Sequence, residues 1–205
     1  MSVKSGLPTW ARLIAREEPA SSPFSLEESL AVDATGNVLV AGGFSGTLHV
    51  EGSSLVSSGG WSSFVVKFAP SGGVVWAQRF GGGAGSDSAS GAVATDAAGN
   101  VAVLGIFRGT LTLGGTTQSC PSDYLRSLYV AKLDAATGVP LWSRNFVERN
   151  GGAVDPTAIE VDEAGDVLIA AGTTGNTLWL TRPVKAGSAR SMPGRLRVGV
   201  LLFLL

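Results

Sequence analysis

The 205 residues include a single cysteine, Cys120, and a single histidine, His49. One thiol excludes an intrachain disulfide framework and any multi-cysteine metal cluster, and one imidazole excludes a two-histidine metal site. Charge is scarce as well: Asp, Glu, Lys and Arg make up 15% of the chain, against about 25% in an average globular protein. The 15 basic and 16 acidic residues nearly cancel to a net charge of −1, which leaves no electrostatic footprint for nucleic acid. No apolar run reaches the roughly 18 residues that would span a bilayer; the longest is Val198 to Leu205. The opening residues supply only Lys4 of an export signal's basic start, so no signal peptide is expected in the chain as it stands. Glycine is the residue in excess, at 29 copies with no Gly-X-Y period. That pattern calls for many tight turns and, with so little Lys and Glu, fits an all-β chain.

The turns are spaced regularly. Trp10, Trp76 and Trp142 stand at intervals of 66 residues. Asp33, Asp96 and Asp162 each open an Asp-x-x-Gly-Asn/Asp segment, 63 and then 66 residues apart, and Lys67 and Lys132, in FVVKF and YVAKL, are separated by 65. Three independent marks at one period define a repeat. Within it, Gly36-Asn37, Gly99-Asn100 and Gly165-Asp166 join two apolar stretches, and both residue types in each pair tolerate the positive φ of a hairpin turn. A short strand follows (GTLHV, GTLTL, NTLWL), then a long loop, the Lys strand, a second Gly turn and the Trp strand. Each unit should therefore hold four or five short antiparallel strands.

Strands such as NVLVAGG and DVLIAAG are nearly continuously apolar, which means that both faces of the sheet are covered. Small sheets repeating at a fixed period, each sandwiched between its neighbours, are expected to be blades of a β-propeller.

Units that run Trp-Ala/Ser-x-x-Phe, Asp-x-x-Gly-Asn/Asp-Val, a Gly-Thr-Leu-type strand and Phe/Tyr-Val-x-Lys resemble the bacterial seven-bladed β-propeller repeat (SBBP) family. The likeness runs from Trp10 to about Leu180 and is highest over Leu30 to Phe146. It implies a propeller fold and an extracytoplasmic setting in the periplasm, at the cell surface or outside the cell; it implies no activity.

The repeat region is expected over residues 1–181, with units near 10–75, 76–141 and a partial 142–181, followed by an atypical basic and apolar tail at 182–205. Three units are fewer than the four to eight with which propellers usually close, so an open or incomplete array is expected. All acidic residues lie at or before Asp166, whereas five basic residues follow Leu180. That asymmetry suits a truncated or frame-shifted end, and a short chain that rings up with its own copies is the alternative.

Few residues offer chemistry. The Asp-x-x-Gly turns have Thr35, Ala98 and Ala164 where a calcium loop would place a second oxygen ligand, so Asp33, Gly36, Asn37, Asp96, Gly99, Asn100, Asp162, Gly165 and Asp166 read as structural turns. Gly81 to Asp87 lacks the Lys-Ser/Thr of a phosphate loop and reads as a flexible connector between sheets. His49 sits where the other repeats have Thr112 and Trp179, as on the exposed face of an outer strand. Cys120 has no second cysteine to pair with and no base near it in sequence, and reads as an incidental thiol. Trp10, Trp76 and Trp142 recur in register and read as blade core, while Trp61 and Trp179 break the pattern and are the candidates for stacking on a ligand such as a sugar.

No catalytic, cofactor-binding or metal residue is expected, and no cofactor. The functional expectation is a non-enzymatic binding or structural scaffold for protein or carbohydrate, with self-association through open blade faces. The alternative is a lyase or hydrolase with its site at a propeller channel.

Overall fold

The computed structural model describes residues 10–17, 28–58, 60–120, 126–146, 154–163 and 165–173. Val, Leu, Ile and Ala runs between Gly-containing turns form its strands. In chain order these are β1 (Ala15–Glu17), β2 (Ser29–Val32), β3 (Val38–Phe44), β4 (Thr47–Val50), β5 (Ser53–Val56), β6 (Ser62–Phe68) and β7 (Val74–Phe80). The order then recurs as β8 (Asp87–Thr95), β9 (Val101–Arg108), β10 (Thr110–Leu113), β11 (Thr116–Ser119), β12 (Ser127–Leu133) and β13 (Pro140–Phe146). It begins once more with β14 (Val154–Val161) and β15 (Val167–Thr173). The described residues are all-β.

Two four-stranded antiparallel sheets, β2-β3-β6-β7 and β8-β9-β12-β13, follow the same topology, and β14-β15 form a third, two-stranded sheet. None closes into a barrel, so the fold is an open set of blade-like sheets. The segment expected to be a long loop after each Gly-Thr-Leu strand carries a second strand instead. β4 pairs with β5 and β10 with β11, so that each of these two units has an outer hairpin.

A period counted from tryptophan to tryptophan is out of phase with the sheets. Trp76 lies on β7, the last strand of the first sheet, opposite Lys67 of β6. By the same logic Trp10 and β1 stand where the last strand of a preceding sheet would be. β1 pairs with the outer hairpin strand β4, just as Gly81, at the end of β7, bridges Thr112 of β10.

The core lies between sheets. Along β9, Val101, Val103 and Phe107 point to the first sheet and pack with Leu39, Ala41 and Val65. The alternate residues Ala102, Leu104 and Ile106 point the other way and pack with Ile159, Val167 and Ile169 of the third. Strand periodicity of two thus serves two interfaces at once, which is why this strand reads as continuously apolar. The outer face of the first sheet packs Phe44, Phe64, Val66 and Phe68 against Trp10 and Ile14.

Candidate functional site

The residues that recur in the sequence converge on the seams between sheets. In the first Asp-x-x-Gly turn, Asp33 Oδ1 accepts hydrogen bonds from the backbone N–H of Thr35 (3.0 Å) and Asn37 (2.9 Å) and from the Thr35 hydroxyl (2.8 Å). Asn37 Nδ2 donates to Oδ2 at 2.7 Å. Gly36 has φ of 84°, a left-handed conformation that disfavours other residues; Gly99 and Gly165 repeat it at 81° and 80°. Asp96 holds Ala98 and Asn100 in the same way, and the Asp166 amide donates to Asp162 at 2.8 Å.

What the sequence reading missed is the role of the lysines. Lys67 Nζ lies 3.0 Å from Asp33 Oδ2 within its own unit, then crosses to the next unit to donate to Ala135 O at 3.0 Å and Gly99 O at 3.4 Å. Lys132 repeats the device, 2.8 Å from Asp96 and 3.5 Å from Gly165 O. Two lysines one period apart, each with an aspartate in register, were the available signal.

Burial works to raise the Asp33 carboxyl, but hydrogen bonds from Asn37, Lys67 and Thr35 outweigh it and hold the group well below the usual carboxylate range. Asp96 is lowered too, burial being outweighed by Lys132 and Asn100.

The period-marking tryptophans join the same layer. Trp76 Nε1 donates to Ala135 O at 3.1 Å, the carbonyl that also receives Lys67, and the equivalent Trp10 Nε1 donates to Pro70 O at 3.0 Å. Each indole lies on a glycine of the next turn: a Cβ on Gly138 would come within 2.7 Å of Trp76, and one on Gly72 within 2.8 Å of Trp10. Trp142 packs partly buried against the core between the second and third sheets.

Toward the opposite end of the first seam lies a hydroxyl layer. Tyr129 Oη donates to Ser63 Oγ at 2.7 Å and lies 2.9 Å from Ser90 Oγ, while the Val93 amide donates to Ser29 Oγ at 3.1 Å. Burial pushes the Tyr129 phenol up to about 12, against opposing hydrogen bonds to Ser63 and Ser90.

Two expectations need correction. Trp61 offers no face to a ligand: it is 5% exposed, and its ring lies so close to Gly43 that a Cβ there would come within 3.0 Å of it. The connector Gly81 to Asp87 is anchored at both of its ends. Thr110 N donates to Ser86 Oγ at 3.0 Å, Trp61 N donates to Asp87 Oδ1 at 2.9 Å, and Gly82 packs on the Thr110 backbone. Gly81 and Gly82 serve close approach to neighbouring strands, and Gly85 takes a positive φ of 77° in the turn between the anchors. Trp179 and the tail at 182–205 lie outside the described residues.

His49 lines an open groove of about 420 Å³ with Leu13, Ala15, Glu51 and Ser54. Its Nδ1 lies 3.1 Å from Ser54 Oγ and its Nε2 3.3 Å from Glu17 Oε1. The order hydroxyl, imidazole, carboxylate suggests a nucleophile relay. However, the equivalent cross-strand pair in the next unit is Thr112 with Thr117, in contact at 3.0 Å. The contact therefore belongs to the hairpin geometry. Cys120 is buried at the edge of the core between the first two sheets. Among the described residues no group of three or more His, Cys, Asp or Glu is placed to hold a metal ion, and no helix is long and apolar enough to cross a membrane.

No family model matches this chain, and no curated protein sequence matches it.

Proposed function

We propose that this chain is a β-propeller-type repeat scaffold of the SBBP kind that binds a protein or carbohydrate partner without chemical turnover. The observation that carries this reading is the repeated seam. Lys67 and Lys132 each pair with the aspartate of their own unit and donate to the turn carbonyls of the next. A latch that recurs at one position sets successive sheets at a constant pitch, which is how repeat proteins build an extended binding surface from identical parts. The outer hairpins differ between the two described units that carry them: the cross-strand pair His49 and Ser54 in one becomes Thr112 and Thr117 in the next. A repeated frame that carries dissimilar outer strands suits recognition, and the family resemblance supports an extracytoplasmic partner.

The test is equilibrium binding of the full chain to a panel of soluble polysaccharides and peptides, with the ligands recovered and sized afterwards. Saturable binding with ligand returned intact is the expected result. Release of shortened oligosaccharides or cleaved peptide would overturn the reading in favour of a lyase or hydrolase.

A further inference from the structure

We propose that the two ends of the sheet stack are complementary and that copies of this chain associate head to tail, the β14-β15 face of one copy seating on the β2 face of another. The inference rests on the stacked-repeat reading above and names one partner for it: a second copy.

Equivalent repeat positions carry the argument. Counted back from the turn aspartates, Leu30 on β2 occupies the place that Val93 occupies on β8. Val93 is 6% exposed because the first sheet covers it, whereas Leu30 is 66% exposed. At the other end, Leu168 on β15 stands where Leu39 and Ala102 stand in the preceding sheets. Those two are 0% exposed, each covered by the sheet that follows, and Leu168 is 41% exposed. The exposed residues match their buried counterparts in chemistry. Only the neighbour differs, and at the internal seams that neighbour is always another sheet of this repeat.

Over its described strands, the β14-β15 face therefore repeats the apolar residues that the internal seams bury between neighbouring sheets. Such an interface is heterologous, using two different patches, and it generates a ring if the rotation closes and an open chain if it does not. Charge interrupts both faces. On the receiving face the Arg16–Glu28 ion pair lies beside Phe64. Glu160 on β14 stands at the place of Ala94, which packs against the third sheet. A carboxylate there must be desolvated or displaced when the seam forms, which weakens the association.

The experiment is sedimentation equilibrium of the full chain over a concentration series, with thermal unfolding followed in parallel. The mass is expected to rise with concentration from one copy to multiples. Leu30→Asp and Leu168→Asp, both at exposed positions, should each remain monomeric alone. Their equimolar mixture should form a dimer, because each variant keeps one intact face. Glu160→Ala should move the midpoint of association to about tenfold lower concentration. A chain that stays monomeric throughout while unfolding cooperatively overturns the proposal, as does a mixture of the two Asp variants that stays monomeric. Loss of cooperative unfolding in the parent chain would instead strike at the stacked-repeat reading itself.

Discussion

Lys67 Nζ and Asp33 Oδ2 lie 3.0 Å apart with side chains 4% and 2% exposed, at the point where the first sheet meets the turns of the second. A buried pair of this kind contributes little net stability by itself, because desolvation consumes most of the attraction. Removing one member leaves the other charged and stranded. Lys67 also carries the bonds to Ala135 O and Gly99 O, so its loss affects two units.

Lys67→Met should accordingly lower stability by about 3 kcal/mol. Lys132→Met should cost less, since the Lys132–Asp96 pair is the more exposed of the two. Urea denaturation of the two variants beside the parent chain checks the order; equal losses would contradict it.

Acid should act through the same turns. The folded-state carboxyls of Asp33 and Asp96 sit below their ordinary value of 3.8. Their contribution is fully present above the unfolded value and is lost as pH falls through the folded one. Stability should therefore hold down to about pH 4 and decline below it. Asp33→Asn should flatten that decline while lowering stability at neutral pH. Unfolding midpoints measured from pH 7 to pH 2 provide the comparison.

Much of this was legible in the sequence. The Asp, Gly and Asn of the turns, the tryptophan period and the doubly covered strands each followed from local chemistry: positive φ, turn acceptors and apolar continuity. The outer hairpin strands β5 and β11 were hidden because SSLV and TTQS are short, and β11 is polar and mostly exposed. Lys67 was visible as a period mark but not as a latch, since a lysine's usual place is at the surface and its partners lie 34 residues back and 68 ahead. Trp61 was misplaced for the opposite reason. It breaks the repeat yet fills the space left by Gly43 and Ala89, a match between distant positions that spacing cannot reveal.

The hydroxyl layer predicts behaviour at the other end of the pH scale. The Tyr129 phenol is raised from its ordinary 10.0 to about 12, so the folded state keeps its proton where the unfolded state has lost it. Stability that is fully present below pH 10 should fall as pH rises from 10 toward 12. Tyr129→Phe should remove that alkaline dependence and cost about 1 kcal/mol at neutral pH, through the lost bonds to Ser63 and Ser90. Circular dichroism melts between pH 8 and pH 12 would separate the two effects.

If the sheets are stacked and latched into one cooperative body, native-state hydrogen exchange will report it strand by strand. The amides of β3 and β6 in the first sheet and of β9 and β12 in the second should exchange with a common opening free energy. Lys67→Met should lower protection in all four strands together. Protection that falls in β3 and β6 alone, with β9 and β12 unchanged, would mean that the sheets open independently and are not latched.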